Sequence, residues 1–260
     1  MRLPLYQVDA FADQLFTGNP AAVVPLQHWL PDRTMQKIAA ENNLAETAFI
    51  LPDGDGWAIR WFTPEVEIDL CGHATLASAF IIANFLNEGA DRIRFSTKVA
   101  GDLQVSRQDD RYSLDFPSRP GAVADVPADV LAALGGDTPQ VALSSRDLML
   151  VYERAEQVAA LKPDFTALAR AGREIIATAP GDDVDFVSRF FAPSVGIAED
   201  PVTGSAHCTL IPYWADRLGR TELTARQISA RGGQLWCRLD GQRVHIAGHA
   251  VLYLEGTIHV

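Results

Sequence analysis

The sequence predicts an α+β fold built as two pseudo-symmetric halves, each a curved sheet wrapped on one buried helix. Three observations carry this prediction. First, "RWFTPEVEI" (60–68) recurs as "RFFAPSVGI" (189–197), with Arg60/Arg189, Phe62/Phe191, Pro64/Pro193, Val66/Val195 and Ile68/Ile197 identical. Second, after a three-residue difference in spacing, "CGHATLASAF" (71–80) aligns with "TGSAHCTLIP" (203–212) through Gly72/Gly204 and Ala74/Ala206. Third, short strand-like segments surround both copies. Matched segments at matched spacing within one chain indicate an internal duplication.

Each copy reads as strand, turn, helix. "AIRWFTP" alternates and is rich in aromatics, as a strand is. The segment after Gly72 has Leu76, Phe80 and Ala83 at helical spacing and is apolar nearly all round, so protein is expected to wrap it. "SAHCTLIPYWADRLG" behaves alike and stops at Gly219, a plausible C′ glycine; Pro212 inside it either kinks the helix or limits it. Strands are expected at "LYQVDAF", "AAVVPL", "TAFILP", "IRFST", "LQVSR", "YSLDFP", "QLWCRL", "RVHIAG" and "AVLYLEG", and surface helices at 32–43, 127–134 and 155–171. Prolines and a glycine interrupt the pattern at "DFPSRPGAV" (115–123). This divides the chain into halves 1–117 and 118–260, the last strand being free to return to the first half.

The 260 residues carry a formal net charge of −11, which repels nucleic acid and anionic membranes at long range but not a small anion held by local fields. The opening "MRLPLYQVDAFADQ" does not read as a signal peptide, and "ATLASAFIIANFL" is too short to span a bilayer. Cys71, Cys208 and Cys237 have neither disulfide nor zinc-ribbon spacing, so a reduced, cytoplasmic protein is expected.

The two helix starts hold the candidate chemistry. A helix N-terminus offers unpaired N–H groups and partial positive charge, and Gly72 and Gly204 let a ligand approach the backbone. A duplicated chain is expected to point both helix ends into one cleft, as a carboxylate site. His73 stands at the first start, Ser205 at the second, and Asp200 three residues before Thr203. Asp200 reads equally as a turn cap, and His73 as a hydrogen-bonded structural histidine. Glu46, where a helical segment meets an apolar strand, is costly unless paired or useful, and a partly desolvated glutamate can exchange protons near neutral pH. Cys71 at a helix start has the setting of a reactive thiol, but its repeat counterpart is Thr203, so no symmetric thiol pair exists. Cys71-x-His73 and His207-Cys208 are too closely spaced to indicate a metal site, and no P-loop or dinucleotide fingerprint is present.

The stretches "VDAFADQLFTGNPAAVV", "NNLAETAFI", "RWFTPEVEIDLCGHATLA", "GIAEDPVTGSAHC" and "RGGQL" together resemble the phenazine-biosynthesis PhzF-like isomerases, of the diaminopimelate-epimerase fold superfamily. They span nearly the whole chain. The resemblance implies two barrel-like halves around central helices, a homodimer, and neither metal nor organic cofactor. It implies that Glu46 is the acid/base moving a proton between carbons. With it, His73, Asp200 and Ser205 hold a cyclic amino-carboxylate and steady its protonation; Gly72, Thr203, Gly204 and Asn19 join Ser205 in substrate binding. The reference reaction is isomerisation of a dihydro-hydroxyanthranilate, a step of phenazine biosynthesis. Related epimerases and proline racemase use two facing cysteines, which Thr203 denies here. Two rival readings stay open: an epimerase or racemase using Glu46 or Cys71, and a non-catalytic metabolite-binding protein.

Overall fold

A computed structural model describes all residues, Met1–Val260. They form two compact units, one of Met1–Asp115 with Ala247–Val260 and one of Phe116–Ile246. No helix is long and apolar enough to cross a membrane.

The first unit begins with β1 (Arg2–Ala10) and β2 (Asn19–Pro25), followed by α1 (Asp32–Asn42), β3 (Glu46–Asp53), β4 (Gly56–Phe62) and the short β5 (Glu67–Ile68). Then come α2 (Gly72–Ile81), continued by one π-helical turn over Ile82–Leu86, and β6 (Arg92–Ser96), β7 (Leu103–Gln108) and β8 (Arg111–Pro117). The strands β1 and β2 pair antiparallel, β2 and β3 parallel, β3 and β4 antiparallel, β4 and β6 parallel, and β6 and β7 antiparallel. A parallel pair needs a crossover, and the two helices supply them: α1 links β2 to β3, and α2 links β4 to β6.

The second unit contains β9 (Ala122–Val123), α3 (Ala128–Leu134), β10 (Val141–Ser144), β11 (Leu148–Val151), α4 (Ala155–Ala160), α5 (Phe165–Ala171), β12 (Ile175–Pro180) and β13 (Phe186–Ala192). It closes with β14 (Ile197–Asp200), α6 (Gly204–Leu218), β15 (Glu222–Gln227), β16 (Gly233–Asp240) and β17 (Arg243–Gly248). Its ladder repeats the first: β10–β11 antiparallel, β11–β12 parallel, β12–β13 antiparallel, β13–β15 parallel, β15–β16 antiparallel. Here α4 and α5 replace α1, and α6 replaces α2. The final strand, β18 (Ala250–His259), returns to the first unit and pairs antiparallel with β1, as β9 does with β10. The fold is therefore α+β with pseudo-symmetric halves.

The registers correct the sequence alignment in one place. Trp61 faces Ile68 across β4–β5, and Phe190 faces Asp200 across β13–β14, so Asp200 is the counterpart of Ile68. The extra three residues thus precede the short strand, in the 3-10 turn Pro193–Val195 and Gly196, instead of following it. Two of the identities, Val66/Val195 and Ile68/Ile197, are then coincidental.

Packing follows burial demand. In α2, every residue from His73 to Ala79 is buried, and the helix touches β1, β2, β3 and β7. On β2, Ala21–Val24 are all buried, which a strand shows when both its faces are covered. One covering layer is α1, whose Met35 and Ile38 join Val24, Phe49 and Phe62 in a core cluster. In the second unit, Val130, Leu134, Val158 and Leu168 from α3–α5 pack on Leu148, Leu150, Ile175 and Phe191.

Two expectations change. The helix expected over 155–171 is two helices, since Pro163 cannot continue α4 and Asp164 caps α5, its Oδ1 accepting from the Ala167 N–H at 3.0 Å. Pro212 neither limits nor ends α6, which runs on to Leu218. A proline cannot donate to the carbonyl four residues earlier, which here is Cys208, and that carbonyl accepts instead from the Arg119 N–H at 2.8 Å.

One buried charge is out of keeping with this packing. Asp147, beside the β10–β11 turn, is 2% exposed and neither carboxylate oxygen has a hydrogen bond. Burial, with Glu174 adding and Arg146 and Arg119 opposing, pushes its pKa up to about 6. A raised carboxyl binds its proton more tightly folded than unfolded, so its stabilising share exists below the unfolded pKa and is lost as pH rises to about 6. Asp147→Asn is expected to gain up to about 3 kcal/mol at pH 7.5 and almost nothing near pH 4. Urea melts at both pH values check this; equal gains at both would show that ionisation is not the cause.

Candidate functional site

The first unit gathers four predicted residues around the start of α2. Asn19 opens β2 after a left-handed turn at Gly18, where φ is +65° and a Cβ would sit 2.2 Å from the Ala10 carbonyl oxygen. Only glycine fits there, and it sends the chain back along β1 with Asn19 fully buried. Glu46 opens β3, held beside Ala21 by the parallel register. Cys71 is the extended N-cap residue of α2, Gly72 its first residue and His73 its second; no side chain caps this helix start.

These side chains converge. His73 Nδ1 lies 3.1 Å from the Asn19 side-chain amide, and Nε2 lies 2.9 Å from Glu46 Oε2. The Cys71 Sγ sits 3.5 Å from His73 Nδ1 and 3.9 Å from Nε2. Oε2 of Glu46 is buried and, despite this closeness, has no aligned hydrogen-bond donor. Burial opposes charge on His73, but the adjoining Cys71 and Glu46 outweigh it and hold its pKa well above the ordinary value. Burial, reinforced by Glu46, pushes the Cys71 thiol up to about 11, so it is neutral at physiological pH and a poor base.

The second unit places the other candidates at the start of α6. Asp200 ends β14 and is buried, accepting the Thr203 hydroxyl on Oδ2 at 2.5 Å. Thr203 is the N-cap residue, Gly204 the first helical residue and Ser205 the second, half-buried; again no side chain caps the helix. His207 reaches back with Nδ1 2.8 Å from the Thr203 carbonyl. Burial lowers its pKa to about 4, so the ring is neutral and that nitrogen donates. His207 is thus a scaffold residue.

A residue that sequence reasoning missed organises this corner. Gln227, the last residue of β15, is fully buried; its amide donates to the Asp200 carbonyl (2.8 Å) and to Thr203 Oγ1 (3.1 Å), and accepts from the Thr203 N–H (2.9 Å). Nothing local marks it, because its partners lie 24 and 27 residues away. Gln227→Leu keeps the volume but strands a buried N–H and C=O, and is expected to cost about 1–3 kcal/mol. Chemical denaturation measures this; a loss under 0.5 kcal/mol (~a typical surface change) would mean the amide is dispensable.

The repeated arginines brace both sites. Arg60 binds Glu67 through two nitrogens at 2.7 Å each, reaches Asp32 of α1 at 2.9 Å and lies 5.2 Å from the Phe62 ring. Arg189 binds Glu199 at 2.7 and 2.8 Å, the Leu161 carbonyl beyond α4 at 2.9 Å, and the Phe191 ring at 4.8 Å. Of the two acids before α6, Glu199 is therefore paired with Arg189, while Asp200 accepts from the Thr203 hydroxyl. The halves differ at Glu46: by ladder register Glu174 is its counterpart, and the Glu174 carboxylate accepts from the Ser194 hydroxyl at 3.4 Å.

The sequence expects no metal, yet Glu46, Cys71 and His73 bring one ligand atom each within 4.8 Å of one another. Cysteine–histidine spacing alone could not show this, because the glutamate comes from another strand.

Comparison with known proteins adds the following. Residues 8–256 match a family model described as phenazine biosynthesis-like protein. The chain is 52% identical to an uncharacterized isomerase of Pseudomonas aeruginosa, over 100% of both chains. The crystal structure of a PhzF-family phenazine biosynthesis protein from Enterococcus faecalis superimposes with a TM-score of 0.97 at 48% identity, covering 100% of both chains. A hydroxyproline epimerase from Agrobacterium vitis shares the fold alone, with a TM-score of 0.60 at 11% identity over 99% of this chain and 92% of that one.

Proposed function

Since the chain belongs to the phenazine biosynthesis-like family, we propose that it is a cofactor-independent isomerase moving a proton between carbons of a small cyclic amino-carboxylate. One observation carries this reading: Glu46 Oε2 is buried, 2.9 Å from His73 Nε2, and has no hydrogen bond. A buried carboxylate paired with an imidazole can take a proton from carbon and return it. His73, with its raised pKa, balances the carboxylate charge, and Asn19 sets the orientation of its ring. In the second unit, Asp200 handles the second proton position, steered by Thr203 and Gln227. The uncapped amides of Gly204 and Ser205 receive the substrate carboxylate. The reading includes a homodimer acting in the cytoplasm.

The epimerase alternative is less well supported. Two-base racemisation by thiols needs a second cysteine where Thr203 stands, and the Cys71 thiol, raised to about 11, is a weak base supply at neutral pH.

The test is solvent exchange. Cyclic amino acids and aromatic carboxylates that stabilise the protein thermally are incubated with it in deuterium oxide and followed by NMR. The isomerase reading expects one deuteron at a new carbon together with a shifted double bond. Label at the α-carbon with inverted configuration establishes the epimerase, and tight binding without exchange establishes the binding protein.

A further inference from the structure

We propose that Glu46, Cys71 and His73 form a binding site for a soft divalent cation, Zn²⁺ or Cd²⁺, whose occupancy blocks the proton-transfer group. This goes beyond the isomerase reading, which uses no metal, and makes the same residues a point of inhibition.

Geometry is the first support. A tetrahedral zinc with bonds of about 2.3 Å to sulfur and about 2.0–2.2 Å to nitrogen and oxygen separates its ligand atoms by roughly 3.3–3.6 Å. Here Cys71 Sγ lies 3.9 Å from His73 Nε2, which lies 2.9 Å from Glu46 Oε2. Adjustments of about half an ångström, within side-chain rotation, bring both separations onto that edge length. The second support is the Glu46 Oε2 atom, buried without a hydrogen bond and facing into the cluster. A bound cation takes the place of the His73 proton as the positive charge beside this oxygen.

Ligand chemistry and charge point to the class of ion. One thiolate, one imidazole and one carboxylate suit zinc and cadmium and disfavour magnesium or calcium, which demand oxygen. A thiolate and a carboxylate also offset a divalent charge, so the loaded cluster is neutral in a buried setting. For Nε2 to bind metal, Nδ1 must hold the proton and donate it. Half a turn of the Asn19 amide exchanges Nδ2 for Oδ1 beside Nδ1 and provides that acceptor, the usual support for a ligating histidine. Cys71, His73 and Glu46 keep 6%, 5% and 6% of their surface exposed, so none of the three is sealed completely from solvent.

The experiment titrates chelator-treated protein, without substrate, with CdCl₂ and reads the thiolate-to-cadmium charge-transfer band. The expected result is saturation at one equivalent and reversal by ZnCl₂. Cys71→Ala abolishes the band, while the Cys208→Ala/Cys237→Ala double variant keeps it. Glu46→Gln and His73→Asn weaken binding at least tenfold, about the least that loss of even an outer-shell partner produces. In wild-type protein, Zn²⁺ also slows iodoacetamide alkylation of Cys71 mapped by mass spectrometry, a readout that survives if Cys71→Ala fails to fold. A band retained in Cys71→Ala, no band in the wild type, unprotected Cys71, or undiminished binding by both ligand variants overturns the proposal. None of these readouts depends on turnover, so failure here is distinct from failure of the isomerase reading.

Discussion

Glu46→Gln is expected to fold and bind ligand almost normally and to lose turnover by about 10²-fold or more. The replacement keeps the shape of a side chain that is 6% exposed, and it keeps an oxygen near His73, but it removes the proton-accepting carboxylate. Folding should change little, because His73, without the carboxylate charge that helps hold its pKa up, can give up its proton and stay neutral. The informative measurement is a pair on one sample: solvent-exchange rate and melting temperature. Exchange lost with melting unchanged assigns Glu46 to proton transfer. Exchange unchanged with a lowered melting temperature assigns it to the scaffold, as the partner of His73. His73→Asn and Asp200→Asn are expected to fall between, weakening binding as well as proton handling.

The largest loss of stability is expected at Trp214. It is fully buried in α6, stacks on Phe186 at 5.7 Å with ring planes 4° apart, and donates its indole N–H to Thr178 Oγ1 at 3.0 Å. That hydroxyl in turn donates to the Val187 carbonyl at 2.7 Å, so one side chain ties the central helix to β12 and β13. Trp214→Ala removes the ring and leaves a cavity, which costs about 3–5 kcal/mol. Trp214→Phe retains most of the packing and loses the hydrogen bond, and is expected to cost distinctly less. Urea unfolding of both variants checks this. Equal losses would make the hydrogen bond dominant, and a loss below about 1.5 kcal/mol for alanine, well under the usual range, would show that the helix repacks.

Much of the candidate site was legible because its residues break a local rule. Glu46 is a carboxylate at the mouth of an apolar strand, His73 stands at the start of an apolar helix, and Asp200 leads into a Thr-Gly-Ser helix start. Each violates hydrophobic patterning where the chain changes element, and such violations are visible one residue at a time. Gln227 violates nothing nearby: in β15 it occupies an ordinary strand position, and only the fold brings it against Asp200 and Thr203. The arginine braces were half legible. Arg60 and Arg189 stand out as identical, but their partners sit 7 and 10 residues on, and the three-residue turn between hides their equivalence.

By itself the sequence determined the α+β class, the duplication, the two central helices with Gly72 and Gly204 at their starts, and most strands. These depend on periodicity, caps and repetition, which are encoded within about a dozen residues. The strands β10, β11, β12 and β15 escaped it: "LMLV" and "IIATAP" are continuous apolar runs, which fit a doubly covered strand and a buried helix equally well. Tertiary structure alone decided that Asp200 stands opposite Phe190 as the counterpart of Ile68, that Glu199 is neutralised by Arg189, and that Cys71 joins Glu46 and His73. The physical reason is the same in each case. Strand register and helix crossovers set which distant side chains meet, and hydrogen-bond and charge energies act across those meetings, over separations in sequence that no local pattern records.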